Sequence, residues 1–398
     1  MKQEKKKIGL LLHFIIFKSN KELNQPIIPI LYDNNSKKII QDIFIDNRGY
    51  LFLNNNNDLI VKYSDHSQHK IGEEIIILSV NFKKDCFTIT NLFKPIASTQ
   101  LDIDIIKNNK IWYSINNLEN EEKKSEIINK NEDYYLGEND IIKFGSAIYI
   151  VRAIHFLKKE ENKDNENEKI NNIQILNKNS KKIKFDTCYE TQDLQNLKNP
   201  KFCKHIKVDL YKDSDKNKID EIKKWIQERV IKTKNKNKTV ESYQFSLKVC
   251  DKCNIIYPLK YQLSKESEII DFTEIKEPED KNYMILESVE QKIDNIYKKY
   301  IHIINLTEEN QEINIGRNKD NDLIDNNDYI SKKHAKIIYN KKNGTLLLKN
   351  LSKFGTSILI KDNLNISKEK EIYLQEGRLY FTAKVIEQKE FENLDKNK

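Results

Sequence analysis

Arg317 places a planar guanidinium in a chain that otherwise relies on lysine: Arg48, Arg152, Arg229, Arg317 and Arg378 are the five arginines among 69 basic residues. An Arg fork suits two-point recognition of a phosphate or carboxylate, where Lys acts as a point charge. Gly316 precedes it and permits close backbone approach where an incoming strand bearing Ile313 and Ile315 ends. Ser331 offers a hydroxyl at the mouth of the next apolar run and is followed by Lys332 and His334. A third turn, Ser352-Lys353-Phe354-Gly355-Thr356, adds a lysine and a glycine. Three turns bearing Arg, Ser and Lys at one end of a sandwich make a small basic cup. Such a cup suits a phosphate monoester carrying about −1.5 to −2 charge.

The elements that must position these groups read as strands. Ala335, Ile337 and Tyr339 alternate with period two. Lys341-Lys342-Asn343-Gly344 then leads into Thr345 to Lys349, and Asn-Gly between two apolar runs is a strong hairpin signal.

At these residues the chain resembles the forkhead-associated (FHA) family of phosphothreonine-binding domains. The resemblance is carried by Gly316-Arg317, the spacer with Asn321-Asp322, Ser331-x-x-His334 and Ser352-x-x-Gly355-Thr356. It implies a β-sandwich in which Arg317 and Ser331 bind the phosphate and Lys332 and Lys353 add contacts. It gives Gly316, His334, Gly355 and Thr356 structural roles, with His334 tying loops together. Phe354 departs from the family, which has there an Asn that contacts the bound peptide backbone.

Cysteines form a second constellation: Cys86, Cys188, Cys203, Cys250 and Cys253. Cys250-Asp251-Lys252-Cys253 is a Cys-x-x-Cys knuckle, and Cys203-Lys204-His205 lies upstream. Three Cys and one His complete one tetrahedral zinc shell. A cluster of apolar thiols is the alternative; a redox pair lacks the βαβ pattern that accompanies it. Between the pairs, Ile219, Ile222, Ile226 and Val230 share one helical face beside Trp225.

This stretch resembles a RING-CH (RINGv) zinc finger through Phe185 to Glu190, Asn199 to His205, Lys223 to Ile226, and Val249 to Pro258. In that family eight ligands hold two zincs. The second site falls on Cys203, His205, Cys250 and Cys253, with His205 replacing a Cys. Of the first site Cys188 survives, while Phe185, Lys218 and Glu221 occupy the other places. The resemblance therefore implies a degenerate module with one structural zinc. A closed shell leaves no position for water, so the ion is not catalytic. A RING-CH finger followed by an FHA domain resembles a protist family of that architecture, covering residues 180 to 386.

Composition sets outer bounds. With 398 residues, 38% hydrophobic and 33% charged, the chain is long enough for two or three domains. The net charge of +8 is small for this length, and no basic block is interleaved with aromatics, which argues against nucleic acid. Ile8 to Phe17 follows a basic Met1 to Lys7, but it lacks a small-residue cleavage site and is too short to span a bilayer as a helix. It reads as a buried strand or short helix, and the chain as intracellular with no transmembrane segment.

Short apolar runs (Ile27 to Leu31, Ile43 to Ile45, Tyr50 to Leu53, Ile75 to Phe82, Phe87 to Leu92, Ile141 to Ile154) separated by Asn- and Asp-rich turns predict an all-β domain over 8–156. Tyr135 to Gly145 with Tyr149 to Val151 resembles the closing hairpin of an FHA domain, yet neither Gly-Arg nor Ser-x-x-His precedes it. A degenerate FHA-like sandwich without a pocket is expected. The charged run within 157–179 reads as a linker, and Lys232 to Lys238 as a loop. His66 and His69 lack a further ligand and read as surface; Walker, Gly-x-Ser-x-Gly and His-Glu-x-x-His motifs are absent.

The expected architecture is mainly β: the N-terminal β domain (8–156), a small α+β zinc module (180–262) and a C-terminal FHA sandwich (283–386) beginning at Tyr283 to Leu286. The expected function is an adaptor that binds phosphorylated protein. The alternatives are a RING-CH-type ubiquitin ligase, partnered by a ubiquitin-conjugating enzyme, and a scaffold in which both modules are inert.

Overall fold

The computed structural model describes residues 8–17, 38–45, 49–53, 59–62, 75–83, 86–91, 111–115, 134–157, 216–252, 256–262, 269–293, 296–352, 355–360, 363–366, 371–376 and 379–396. The fold is mainly β, as expected, and its strands come in four runs along the chain, with a helix-led group of four more between the second and third. The first run is β1 (Ile8–Phe17), β2 (Lys38–Ile45), β3 (Gly49–Leu53), β4 (Leu59–Lys62), β5 (Ile75–Lys83), β6 (Cys86–Asn91) and β7 (Ile111–Ile115). A short second run holds β8 (Tyr134–Tyr135), β9 (Ile141–Phe144) and β10 (Ala147–His155). Helix α1 (Lys216–Gln227) follows, with β11 (Ile231–Lys234), β12 (Val240–Ser246), β13 (Lys260–Gln262) and β14 (Ile269–Asp271). The third run is β15 (Tyr283–Ser288), β16 (Gln291–Ile293), β17 (Ile296–Asn305), β18 (Gln311–Gly316), β19 (Leu323–Ile324), β20 (Ala335–Asn340), β21 (Thr345–Asn350) and β22 (Thr356–Leu359). The last is β23 (Asn363–Ile366), β24 (Ile372–Glu376) and β25 (Leu379–Glu387), followed by α2 (Gln388–Lys396).

Period-two patterning explains the strands. In β20, Ala335, Ile337 and Tyr339 are buried while Lys336, Ile338 and Asn340 between them are less so. The Asn343-Gly344 turn closes β20 onto β21, with Gly344 at φ +59°.

Two sandwiches result. In the first, the sheet β2-β1-β25-β24-β7 packs on β4-β3-β5-β6-β23 around Leu10, Leu12, Ile45, Phe87, Ile89 and Leu374. In the second, β17-β15-β10-β9-β22 packs on β19-β18-β20-β21-β8 around Phe144, Tyr149, Leu286, Ile313, Ile337 and Leu348. The two orders correspond strand for strand. At the seam the equivalent strands β7 and β22 pair antiparallel, from Thr356 opposite Ile115 to Leu359 opposite Trp112. One 13-stranded sheet thus runs through both sandwiches.

The closing strands are exchanged. β8 to β10 follow β7 in sequence but complete the second sandwich: β10 pairs with β15, β9 with β22 and β8 with β21. β23 to β25 follow β22 but complete the first, where β25 pairs with β1, β24 with β7 and β23 with β6. The stretches 8–156 and 283–386, read in the sequence as separate units, therefore contribute strands to shared sheets.

β12 extends the sheet of the second sandwich beside β17, and helix α1 covers its outer face. Ile222, Ile226, Phe245, Leu247, Cys250, Leu259 and Phe272 form one cluster with Tyr283, Ile285, Ile301 and Ile303 of β15 and β17. The helix ends before Val230. Arg229 lies 4.5 Å over the Trp225 ring and donates to the Trp225 carbonyl (3.1 Å), satisfying a terminal carbonyl. The loop expected at Lys232 to Lys238 is instead strand β11 and a tight turn. Alternating lysines mark an exposed edge strand, which composition does not separate from a loop. Ile27 to Leu31, His66, His69 and most of 157–179 lie outside the described residues. Among the described residues no helix is long and apolar enough to cross a membrane.

Candidate functional site

β18 ends at Gly316 because the chain there runs against the next loop. The Arg317 N–H donates to the Ser331 carbonyl (3.0 Å) and the Asn318 N–H to the Lys332 carbonyl (3.1 Å). A Cβ on residue 316 would sit 2.5 Å from the Lys332 carbonyl oxygen and 2.9 Å from that of Ser331, so only glycine fits. Buried Asn321 fastens the same crossing, its Nδ2 donating to the carbonyls of Asn318 (2.9 Å) and Lys332 (2.7 Å).

His334 ties the second loop to the third. Its Nδ1 accepts the Ser331 N–H (3.1 Å), so the proton resides on Nε2, which donates to the Gly355 carbonyl (3.0 Å). Burial lowers its pKa to about 4, against the opposing pull of the Gly355 bond. A neutral, enclosed imidazole of this kind is a pin rather than an acid or base. The Ser331 hydroxyl shares a 2.6 Å hydrogen bond with that of Ser352. Asn350 holds Ser352 in turn: its Oδ1 accepts the Ser352 N–H (3.1 Å) and the Thr356 hydroxyl (2.9 Å). Gly355 takes φ +78°, a left-handed conformation that favours glycine.

Against this fixed backbone the Arg317 side chain is loose. It is 42% exposed, and its Nη1 lies 3.8 Å from Oδ1 of Asp328, itself 92% exposed. An ion pair so exposed contributes little and yields readily to a stronger anion. Lys332 and Lys333 are exposed beside it. Lys353 and Phe354 lie outside the described residues.

Sequence reasoning missed the groups beneath the loop. Asp325 is buried, accepts the Tyr149 hydroxyl (2.6 Å) and the Asn327 N–H (3.0 Å), and has its pKa raised by that burial. Asn327 accepts the Tyr329 N–H (3.0 Å) and the Ser146 hydroxyl (2.9 Å). The Asx-turn chemistry of Asp325 to Asp328 was a signal for this bend.

Residues 313–379 match the FHA domain family model. The match takes in Arg317, Ser331, His334 and the Gly355-Thr356 turn, so the second sandwich carries the FHA loops. It also runs through β23 and β24, which this chain places in the first sandwich. No RING-CH match is found, and no curated protein or solved structure matches the chain.

Of the metal ligands expected from the sequence, Cys203, His205 and Cys253 lie outside the described residues. Cys250 is buried in the cluster around α1. Next to it, Val249 and Ile256 form an isolated antiparallel bridge.

Proposed function

We propose that the chain is an adaptor whose FHA domain binds phosphothreonine peptides on partner proteins. Arg317 grips the phosphate with its guanidinium, and the Ser331 hydroxyl turns from Ser352 to a phosphate oxygen. Lys332 and Lys353 add positive charge at the rim. The observation that carries this reading is the contrast at Arg317: the backbone is fixed from both sides while the side chain meets one exposed carboxylate. Fluorescence anisotropy with matched phosphothreonine and threonine peptides tests it. Arg317→Ala weakens the phosphorylated peptide by about 10- to 150-fold, the worth of a charge-assisted hydrogen bond. Equal affinity for the two peptides, or an Arg317→Ala chain that binds as before, refutes the reading.

The same proposal includes one structural zinc held by Cys203, His205, Cys250 and Cys253. The Val249–Ile256 bridge brackets the Cys-x-x-Cys pair along the chain, and two thiolates at that spacing suit one zinc ion. A bound zinc supplies folding free energy on the order of 10 kcal/mol. Metal analysis should find one zinc per chain, and none in a Cys250→Ser, Cys253→Ser variant.

A further inference from the structure

The groups that hold the phosphate loops from below come from the other end of the chain. Resting on the assignment of Arg317 and Ser331 to the phosphate, we infer that the hairpin β9–β10 is the positioning element of this site, and that its sequence is fitted to the second sandwich.

Three contacts reach the loop between Asp325 and Ser331. Gly145, at φ +59°, lies so close that a Cβ there would come within 2.0 Å of the Tyr329 carbonyl oxygen. The Ser146 hydroxyl donates to Asn327, and the Tyr149 hydroxyl donates to Asp325. The hairpin also reaches the third loop. The Gly145 N–H donates to the Gly355 carbonyl (3.3 Å), the same oxygen that accepts from His334. The Phe144 ring stands edge-on to His334, with centroids 5.8 Å apart and planes at 81°. One short hairpin therefore sets the height of both loops that flank the phosphate position.

The hairpin β24–β25, contiguous with the matched FHA sequence, is its structural equivalent. Both turns have two residues: Phe144 pairs with Ala147, and Glu376 with Leu379. Aligning the two sequences on these pairs matches Glu376 to Phe144, Gly377 to Gly145, Arg378 to Ser146 and Phe381 to Tyr149. Phe381 has no hydroxyl for buried Asp325, and Arg378 cannot repeat the short Ser146 bond. A buried carboxylate oxygen deprived of its donor is costly, and Asp325 would keep only the Asn327 N–H, so side-chain chemistry selects β9–β10 for the site. Recognition by the C-terminal half thus requires a segment tethered, through β7, to the first sandwich.

The test uses the full chain with Ser146→Ala and Tyr149→Phe, singly and together, and Ile148→Val as control. Ile148 belongs to the same hairpin but packs on its opposite face. Hydrogen exchange is followed across residues 317–334 and in β1 and β2, with phosphothreonine-peptide affinity measured in parallel. The double variant should speed exchange across 317–334 while leaving β1 and β2 unchanged, and weaken the peptide by about tenfold. Ile148→Val should do neither. Unchanged exchange at 317–334 in the double variant overturns the inference, as does an equal response to Ile148→Val. A parent chain that binds no phosphothreonine peptide overturns the phosphate assignment instead, and the exchange data still decide whether the hairpin holds the loops.

Discussion

The two sandwiches use one strand order for unequal ends. In the second, β18 terminates in Gly316 and Arg317, and the turn before β20 carries Ser331 and His334. The equivalent strand of the first, β3, runs into the asparagines Asn54 to Asn57, and the sequence between β4 and β5 has no Ser-x-x-His. Apolar alternation suffices to build either sandwich. A binding site needs more: one glycine where nothing larger fits, one enclosed histidine joining two turns, and one guanidinium left with a weak partner.

Removing residues 361–398 separates the two sandwiches most sharply. That takes β23 to β25 from the first sandwich and none of the strands of the second. Phosphothreonine affinity should stay within about threefold, while β1 and β2 lose their exchange protection. Loss of binding with protection intact in β1 and β2 would show that the strands are not exchanged in solution.

Next in size, His334→Ala opens a cavity, strands the Ser331 N–H and leaves the Gly355 carbonyl with the Gly145 N–H alone. It should lower stability by about 3–4 kcal/mol in chemical denaturation. A loss under about 1 kcal/mol contradicts the pin.

Acid offers a milder probe. The folded pKa of His334, about 4, lies below its ordinary 6.5, and that of His302 falls to about 3, both through burial. The unfolded chain therefore takes up protons first. The contribution is fully present above about pH 6.5 and is lost as pH falls toward 4, on the order of 3 kcal/mol for His334. Exchange measured at pH 7 and pH 5 should show the second sandwich loosening, and His334→Gln should reduce that response. Smallest of all, Asp328→Asn frees the guanidinium and should tighten the phosphopeptide by about twofold without changing stability. Weaker binding would mean that Asp328 itself contacts the peptide.

Legibility in the sequence followed distance along the chain. Gly316-Arg317, Ser331-x-x-His334 and the Asn343-Gly344 turn are local signals, and the strands around them lie where alternation put them. The hairpin at Tyr135 to Val151 was recognisable as the closing piece of an FHA sandwich, but not as the closing piece of this one. Strand pairing between Tyr149 and Ser288 leaves no trace in either segment alone. The same holds for the Ser331–Ser352 bond, which depends on a register fixed by β20 and β21. Lys232 and Lys234 misled because a lysine-bearing edge strand and a solvated loop share a composition; pairing with β12 and ion pairs to Glu241 make the difference.

The exchange also sets a schedule for biosynthesis. β8 to β10 leave the ribosome well before β15 to β22, on which they close, and β1 to β7 wait longer still for β23 to β25. At ordinary translation speeds the interval between residues 155 and 359 is on the order of 10 to 40 s. Throughout it β8 to β10 lack the strands on which they close. Closure of the second sandwich therefore waits for β22, and that of the first for β25.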